Sequence, residues 1–248
     1  MVGRCEVLAI GAHPDDVELG CGATLARLAA AGKIVGILDL TNGELGTRGD
    51  ASTRRQEAEL AARALGVARR SCLGLADGHL SSANEEQLAA LVKTLREAAP
   101  RALLAPHNAD PHPDHRAAAE LVSRAHFLAG VARWQGELGG PERAHLVLAY
   151  PGPRQLFEPA LVIDVSASYP VKRAALAAHA SQFAVVGGAP THLASGYFLA
   201  AIEGRDRAAG NLIGYELGEG YAMPGPVAAG EIAWLLSPAT EPGLRPER

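Results

Sequence analysis

Two short stretches carry the residues best suited to chemistry: "AHPDDVELGCGATL" at 12–25 and "DPHPDH" at 110–115. His13 and Asp16 stand three apart in the first, His112 and His115 three apart in the second. In a turn or a first helical turn, that spacing aims both side chains of a pair the same way. Two imidazoles and a carboxylate suit Zn²⁺, and three protein ligands leave a position for water, as a catalytic site requires. Asp15 lies beside Asp16 but points elsewhere on this reading, so one carboxylate is free to ligate while the other takes a proton. Either stretch alone also reads as a capped loop, since Pro and Asp are good turn and helix-start residues. Together, each with a His-Pro-Asp core and each after an apolar run, they point to a metal centre.

The surrounding pattern shows how two stretches so far apart can meet. Apolar runs at 5–10, 34–40, 71–75 and 102–105 read as strands, alternating with helices over 18–31, 53–65, 84–98 and 116–130. Further strands are expected at 145–150 and 160–166, and helices at 169–181 and about 192–208. Ser52 or Thr53 is the expected cap of the second helix. "IVGILDL" is apolar throughout, as a parallel strand buried on both faces is. The alternation predicts an α/β fold: a Rossmann-like, three-layer α/β/α arrangement with a mostly parallel sheet. Ligands bind such sheets at the carboxyl ends of the strands, near the point where strand order reverses. Loops 11–18 and 106–115 both follow strands, so both are expected at that edge. No repeat or linker interrupts the pattern. One domain over 1–248 is expected, with a frayed tail from about 238.

Composition narrows the classes. The 248 residues carry a formal charge of −4, which argues against a general nucleic-acid binder but leaves room for a small anion held by a few arginines. Cys5, Cys21 and Cys72 have no paired spacing, which points to reduced thiols and a cytoplasmic home. No secretory signal is visible, and no apolar run approaches the ~20 residues of a membrane helix.

With "DPHPDH", "AHPDDVELGCGATL" resembles the LmbE/PIG-L family of zinc-dependent N-acetylglucosaminyl deacetylases. "GILDLTNGELGTRG", "HASQF" and "GYELGEGYAMPGP" extend the resemblance over roughly residues 5–226. "TNGELGTRG", "YPG", "SQF" and the late Glu-Gly-Tyr are most similar to the bacillithiol-biosynthesis branch, which acts on N-acetylglucosaminyl-malate. Tyr221 stands where that branch usually has Phe, and 152–159 is reshaped. The resemblance implies that His13, Asp16 and His115 hold zinc, with ferrous iron the other candidate. It implies that Asp15 is the general base for a zinc-activated water attacking the amide, and that the chain assembles into trimers or hexamers. His112, if protonated, would stabilise the oxyanion or protonate the leaving amine.

Asp110 is either an orienting partner behind a histidine or a turn residue before Pro111. A sugar linked to a dicarboxylate calls for arginines, whose planar fork matches carboxylates. Arg54 matches a substrate-contacting arginine of the family, and Arg143 matches, loosely, one near the acetyl pocket. Tyr197, Arg207 and Glu219 are weaker substrate candidates, and Glu18 either caps its turn or contacts a sugar hydroxyl. His107 and His179 are ordinary histidines by default, but the first could line the pocket and the second its rim.

Three other readings compete. One is a deacetylase for a different N-acetylglucosaminide, such as a chitobiose. Another is a nucleotide-binding domain, against which "GCGATL" lacks the G-x-G-x-x-G pattern. The last is a non-catalytic metal binder, against which Asp15 stands. The metal reading requires the imidazoles of residues 13 and 115 to lie within ~7 Å of each other.

Overall fold

The computed structural model describes residues 2–239. Its central sheet holds β1 (Val7–Gly11), β2 (Val35–Thr41), β3 (Arg69–Leu75), β4 (Ala102–Pro106) and β5 (Leu146–Tyr150). They run parallel in the order β3-β2-β1-β4-β5. Helices α1 (Asp16–Ala30), α2 (Ala51–Leu65), α3 (Glu85–Ala98) and α4 (Pro113–Ala129) follow the first four strands in turn. Beyond the sheet come β6 (Leu161–Asp164), α5 (Tyr169–Ala178), α6 (Ala180–Phe183), α7 (Phe198–Leu212), β7 (Gly218–Tyr221) and α8 (Ala229–Leu236).

Side chains of a strand alternate between faces. Val7, Ala9, Val35 and Ile37 therefore pack under Val17, Leu25 and Leu28 of α1 and Ala61 and Leu65 of α2. Leu8, Ile10, Leu38 and Leu40 pack against Leu88, Leu91 and Leu95 of α3 and Leu121 and Val122 of α4. The result is the expected three-layer α/β/α arrangement. β1 lies between β2 and β4, so strand order reverses beside it, and the chain leaving β1 and β4 emerges at one edge. Among the described residues no helix is long and apolar enough to cross a membrane.

Several local expectations are corrected. α1 begins at Asp16 and α4 at Pro113, earlier than hydrophobic periodicity predicts, so His115 sits in a first helical turn. Asp50, not Ser52 or Thr53, caps α2, its carboxylate accepting from the Thr53 amide at 2.7 Å. The helix expected over 169–181 breaks at His179, and the one expected from 192 begins at Phe198. β6 pairs antiparallel with β7, and an Ala149–Ala222 bridge ties this ribbon to β5. β7 and α8 were not foreseen; "GEGY" shows no apolar alternation. The expected tail falls mostly outside the described residues.

α1 is also kinked, with Cys21 at φ −146°. At the kink Gly20 faces Tyr150, whose ring would lie 2.1 Å from any Cβ there. The helix restarts beyond it, and its amides at Ala23 and Thr24 donate to the Glu219 carboxylate at 3.0 and 2.7 Å. Lys172 neutralises that buried cap, its Nζ lying 2.7 Å from both Glu219 and Asp206.

Candidate metal centre and substrate cavity

The chain leaving β1 turns through His13 and Pro14 into α1. Thr41 pins this turn to the end of β2, its amide and hydroxyl both donating to the Ala12 carbonyl at 2.9 Å. Asp15 occupies the N-cap position at φ +116°, a left-handed conformation that a residue with a side chain adopts only under constraint. Its carboxylate makes no capping bond and lines the cavity instead. Across the edge, His112 caps α4, its Nδ1 accepting from the Asp114 amide at 3.2 Å.

These two turns converge. The rings of His13 and His115 are 5.3 Å apart by centroid, inside the required ~7 Å, and His112 stacks on His115 at 4.5 Å. Asp16 lies between them, with Oδ2 3.4 Å from His13 Nδ1 and Oδ1 3.1 Å from His115 Nε2. Tetrahedral ligands at Zn–N and Zn–O bond lengths stand about 3.3 Å apart, so the spacing fits one ion. Each imidazole has a carboxylate behind it. His13 Nε2 faces Asp77 Oδ1 at 3.1 Å, and His115 Nδ1 faces Asp110 Oδ2 at 3.1 Å. Such partners hold the proton on the far nitrogen and leave the near lone pair for a metal. Asp110 thus stands where an orienting partner belongs. Gly152 makes room for it, since a Cβ there would fall 1.4 Å from Asp110 Oδ2.

His13, Asp77 and Asp114 form a second trio with converging ligand atoms. It suits a catalytic ion less well. Asp77 and Asp114 already accept from the amides of Leu45 and Gly78, and Asp114 does not line the cavity. Two histidines and one carboxylate fit Zn²⁺, and ferrous iron takes the same donors.

The electrostatics favour a cation. Burial would lower the histidine pKa values, but neighbouring carboxylates prevail. Asp16 and Asp110 push His115 up to about 10, and Asp114, Asp16 and Asp77 raise His13 well above its ordinary value. Burial would raise Asp16, but His115 and His13 hold it well below the usual carboxylate range. A divalent ion would replace those protons. Burial lifts the Asp15 carboxyl to about 6, against the pull of Arg54. The Arg54 guanidinium lies 3.4 Å from Asp15 Oδ2 and donates to the carbonyls of Pro14 and Gly43 at 2.7 Å. Gly43 is required there: its φ is +65°, and a Cβ would fall 1.8 Å from Arg54 Nη1. Burial, reinforced by His115 and His13, lowers the His112 pKa. With Nδ1 accepting the Asp114 amide, a neutral His112 ring carries its proton on Nε2.

Asp15, Asp16, His13, His112 and His115 line a cavity of about 600 Å³, in the size range of small-molecule sites. Arg54 joins them. Other expected residues lie elsewhere. Glu18 is fully buried, paired with Arg70, and 3.3 Å from His179 Nε2, and it does not line the cavity. Arg143 donates to the Phe127 carbonyl at 2.6 Å and covers that ring, away from the cavity. Tyr197 is exposed, and its neighbour Phe198 lines the cavity instead. Glu219 is the buried cap of α1, and Arg207 pairs with Glu203 and Glu216 at the surface. His107 stacks on Phe157 rather than lining the cavity, and His179 lies buried behind Glu18 rather than at the rim. Arg48, Asp77, Arg154 and Gln182 line the cavity unforeseen. Asp77 had one available signal: it follows a strand's carboxyl end, as His13 and His112 do.

A family model described as PIG-L, GlcNAc-PI de-N-acetylase, matches residues 8–126. The uncharacterised deacetylase YaiS of Escherichia coli is 38% identical over 46% of this chain and 64% of that protein. The diacetylchitobiose deacetylase of Thermococcus kodakarensis is 32% identical over 72% of this chain and 70% of that protein. Among solved structures, the conserved protein TT1542 of Thermus thermophilus superposes with a TM-score of 0.82 at 37% identity, covering 91% of this chain and 97% of that one. The fold is that of solved relatives of this class, among them a diacetylchitobiose deacetylase of Pyrococcus horikoshii, TM-score 0.77 at 26% identity over 95% of this chain and 87% of that one. The chain belongs to the PIG-L family of metal-dependent deacetylases, and it spans just under two thirds of the length of the Escherichia coli relative.

Proposed function

We propose that this protein removes the acetyl group from an N-acetylglucosamine conjugate, with N-acetylglucosaminyl-malate of bacillithiol biosynthesis as its substrate. The observation that carries the reading is the convergence of His13, Asp16 and His115 with an unligated, cavity-facing Asp15 beside them. His13 Nδ1, Asp16 and His115 Nε2 would hold zinc. When bound, the ion supplies Lewis acidity and makes water acidic enough to be deprotonated near neutral pH.

The remaining steps belong to the chain. Asp15 takes a proton from the attacking water as the tetrahedral carbon forms and passes it to the amine nitrogen as the C–N bond breaks, releasing acetate and the free amine. Arg54 holds Asp15 in place through the carbonyl of Pro14 and keeps it anionic. His112 presents Nε2–H to the oxygen that becomes negative as the carbonyl carbon turns tetrahedral, and so stabilises it. Asp77 and Asp110 keep the two ligand rings from turning.

A neutral chitobiose-like substrate is the second reading, favoured by the Thermococcus kodakarensis relative. The test is acetate release, with zinc added, from N-acetylglucosaminyl-malate beside diacetylchitobiose and N-acetylglucosamine. The expected result is fastest release from the malate conjugate, lost on chelation and restored by zinc. Release that persists unchanged after chelation and metal-free dialysis would contradict the metal-centred reading.

A further inference from the structure

Three arginines line the cavity: Arg48, Arg54 and Arg154. Two are committed to the fold. Arg48 donates to the carbonyls of Ala184, at 2.8 Å, and Gly187. Arg54 serves Pro14, Gly43 and Asp15. Arg154 is exposed, and among the described residues it has no hydrogen-bond or ion-pair partner.

The turn that carries Arg154 is anchored on both sides. The Gln155 amide donates to the Gly152 carbonyl at 3.2 Å, and the Gly152 amide donates to Gln155 Oε1 at 3.3 Å. Gln155 is itself buried and bonded to His107, whose ring stacks on Phe157 at 4.9 Å. Gly152 lies against Asp110, the partner of His115, so the turn is built onto the back of the metal centre. Arg154 thus rises from a turn packed against Asp110 and lines the cavity together with Asp110, Pro111 and His112.

The cavity's own carboxylates do not neutralise it. Asp16 faces the two histidines, and Asp15 faces Arg54. Asp77 takes His13 and the Leu45 amide, and Asp110 takes His115 and the His112 amide. The cavity therefore presents one unspent, planar, two-pronged cation. Such a group matches a carboxylate, and forming that pair strands no polar group of the protein.

We infer that Arg154 binds a carboxylate on the aglycone, making this cavity selective for acidic over neutral N-acetylglucosaminides; the inference rests on the deacetylase reading above. The test compares KM and kcat of the zinc-loaded enzyme and its Arg154→Ala, Arg154→Glu and Arg154→Lys variants on N-acetylglucosaminyl-malate and on diacetylchitobiose. Arg154→Ala raises KM for the malate conjugate at least about tenfold, the loss of one charge-assisted pair, with kcat within about twofold. Arg154→Glu raises it further, Arg154→Lys recovers part, and the constants for diacetylchitobiose stay within about twofold. An unchanged KM for the malate conjugate, or equal losses on both substrates, overturns the inference and leaves the deacetylase reading standing. So does a wild-type preference for diacetylchitobiose. No acetate release by the wild type from either substrate overturns both.

Discussion

At the residue scale, the centre depends on giving adjacent aspartates different tasks. Asp16 faces both imidazoles, while the left-handed backbone at Asp15 turns its carboxylate away from helix capping and into the cavity. An N-cap side-chain bond is worth ~1 kcal/mol, so this site forgoes ordinary stability for geometry. Asp15→Asn is therefore expected to retain one equivalent of zinc and lose activity by about 10²–10⁴-fold, the range of general-base catalysis. His115→Ala is expected to lose zinc and activity together. Metal analysis beside acetate-release rates separates the two, and wild-type turnover by Asp15→Asn would remove it as the base. His13, Asp15, Asp16, His112 and His115 were legible because each pair falls within one turn of chain. Asp77 was not, because it reaches His13 across 64 positions from an ordinary Asp-Gly turn. Arg143 rested on a loose match to a family arginine, and no local pattern shows that its guanidinium covers Phe127, sixteen positions back.

At the scale of elements, the cavity inherits its shape from how α1 is held. The helix must approach β5 closely at Gly20, bend at Cys21 and restart with new caps. Glu219 supplies those caps from β7, far along the chain, and Lys172 on α5 balances the charge. Removing one partner of a buried pair leaves the others uncompensated, a cost of about 3–5 kcal/mol. Lys172→Met is thus expected to lower the melting temperature by about 10 °C in a chain of this size, and a calorimetric scan reads it. A shift below ~2 °C would show that the network does not hold α1. The Glu-Gly-Tyr segment was legible as a motif but not as this device. Capping across 196 positions leaves no local pattern, and a strand as short as "GEGY" has no alternation to find.

At the scale of the whole molecule, the α/β order was legible because strands buried on both faces must be continuously apolar and the helices between them amphipathic. The reversal of strand order beside β1 then places the loops after β1, β3 and β4 at one edge, and His13, Asp77 and His112 with it. β6 was legible as a strand, but its antiparallel pairing with β7, and β7 and α8 themselves, were not, since what fixes them is contact with elements remote in sequence. The central claim is that this edge holds one divalent ion between α1 and α4. Anomalous diffraction at the zinc edge, from crystals grown with zinc, tests it most directly. The account predicts a peak bonded to His13 Nδ1, Asp16 and His115 Nε2 at about 2.0–2.2 Å. A peak seated instead among His13 Nε2, Asp77 and Asp114, or no peak at this edge, would contradict it.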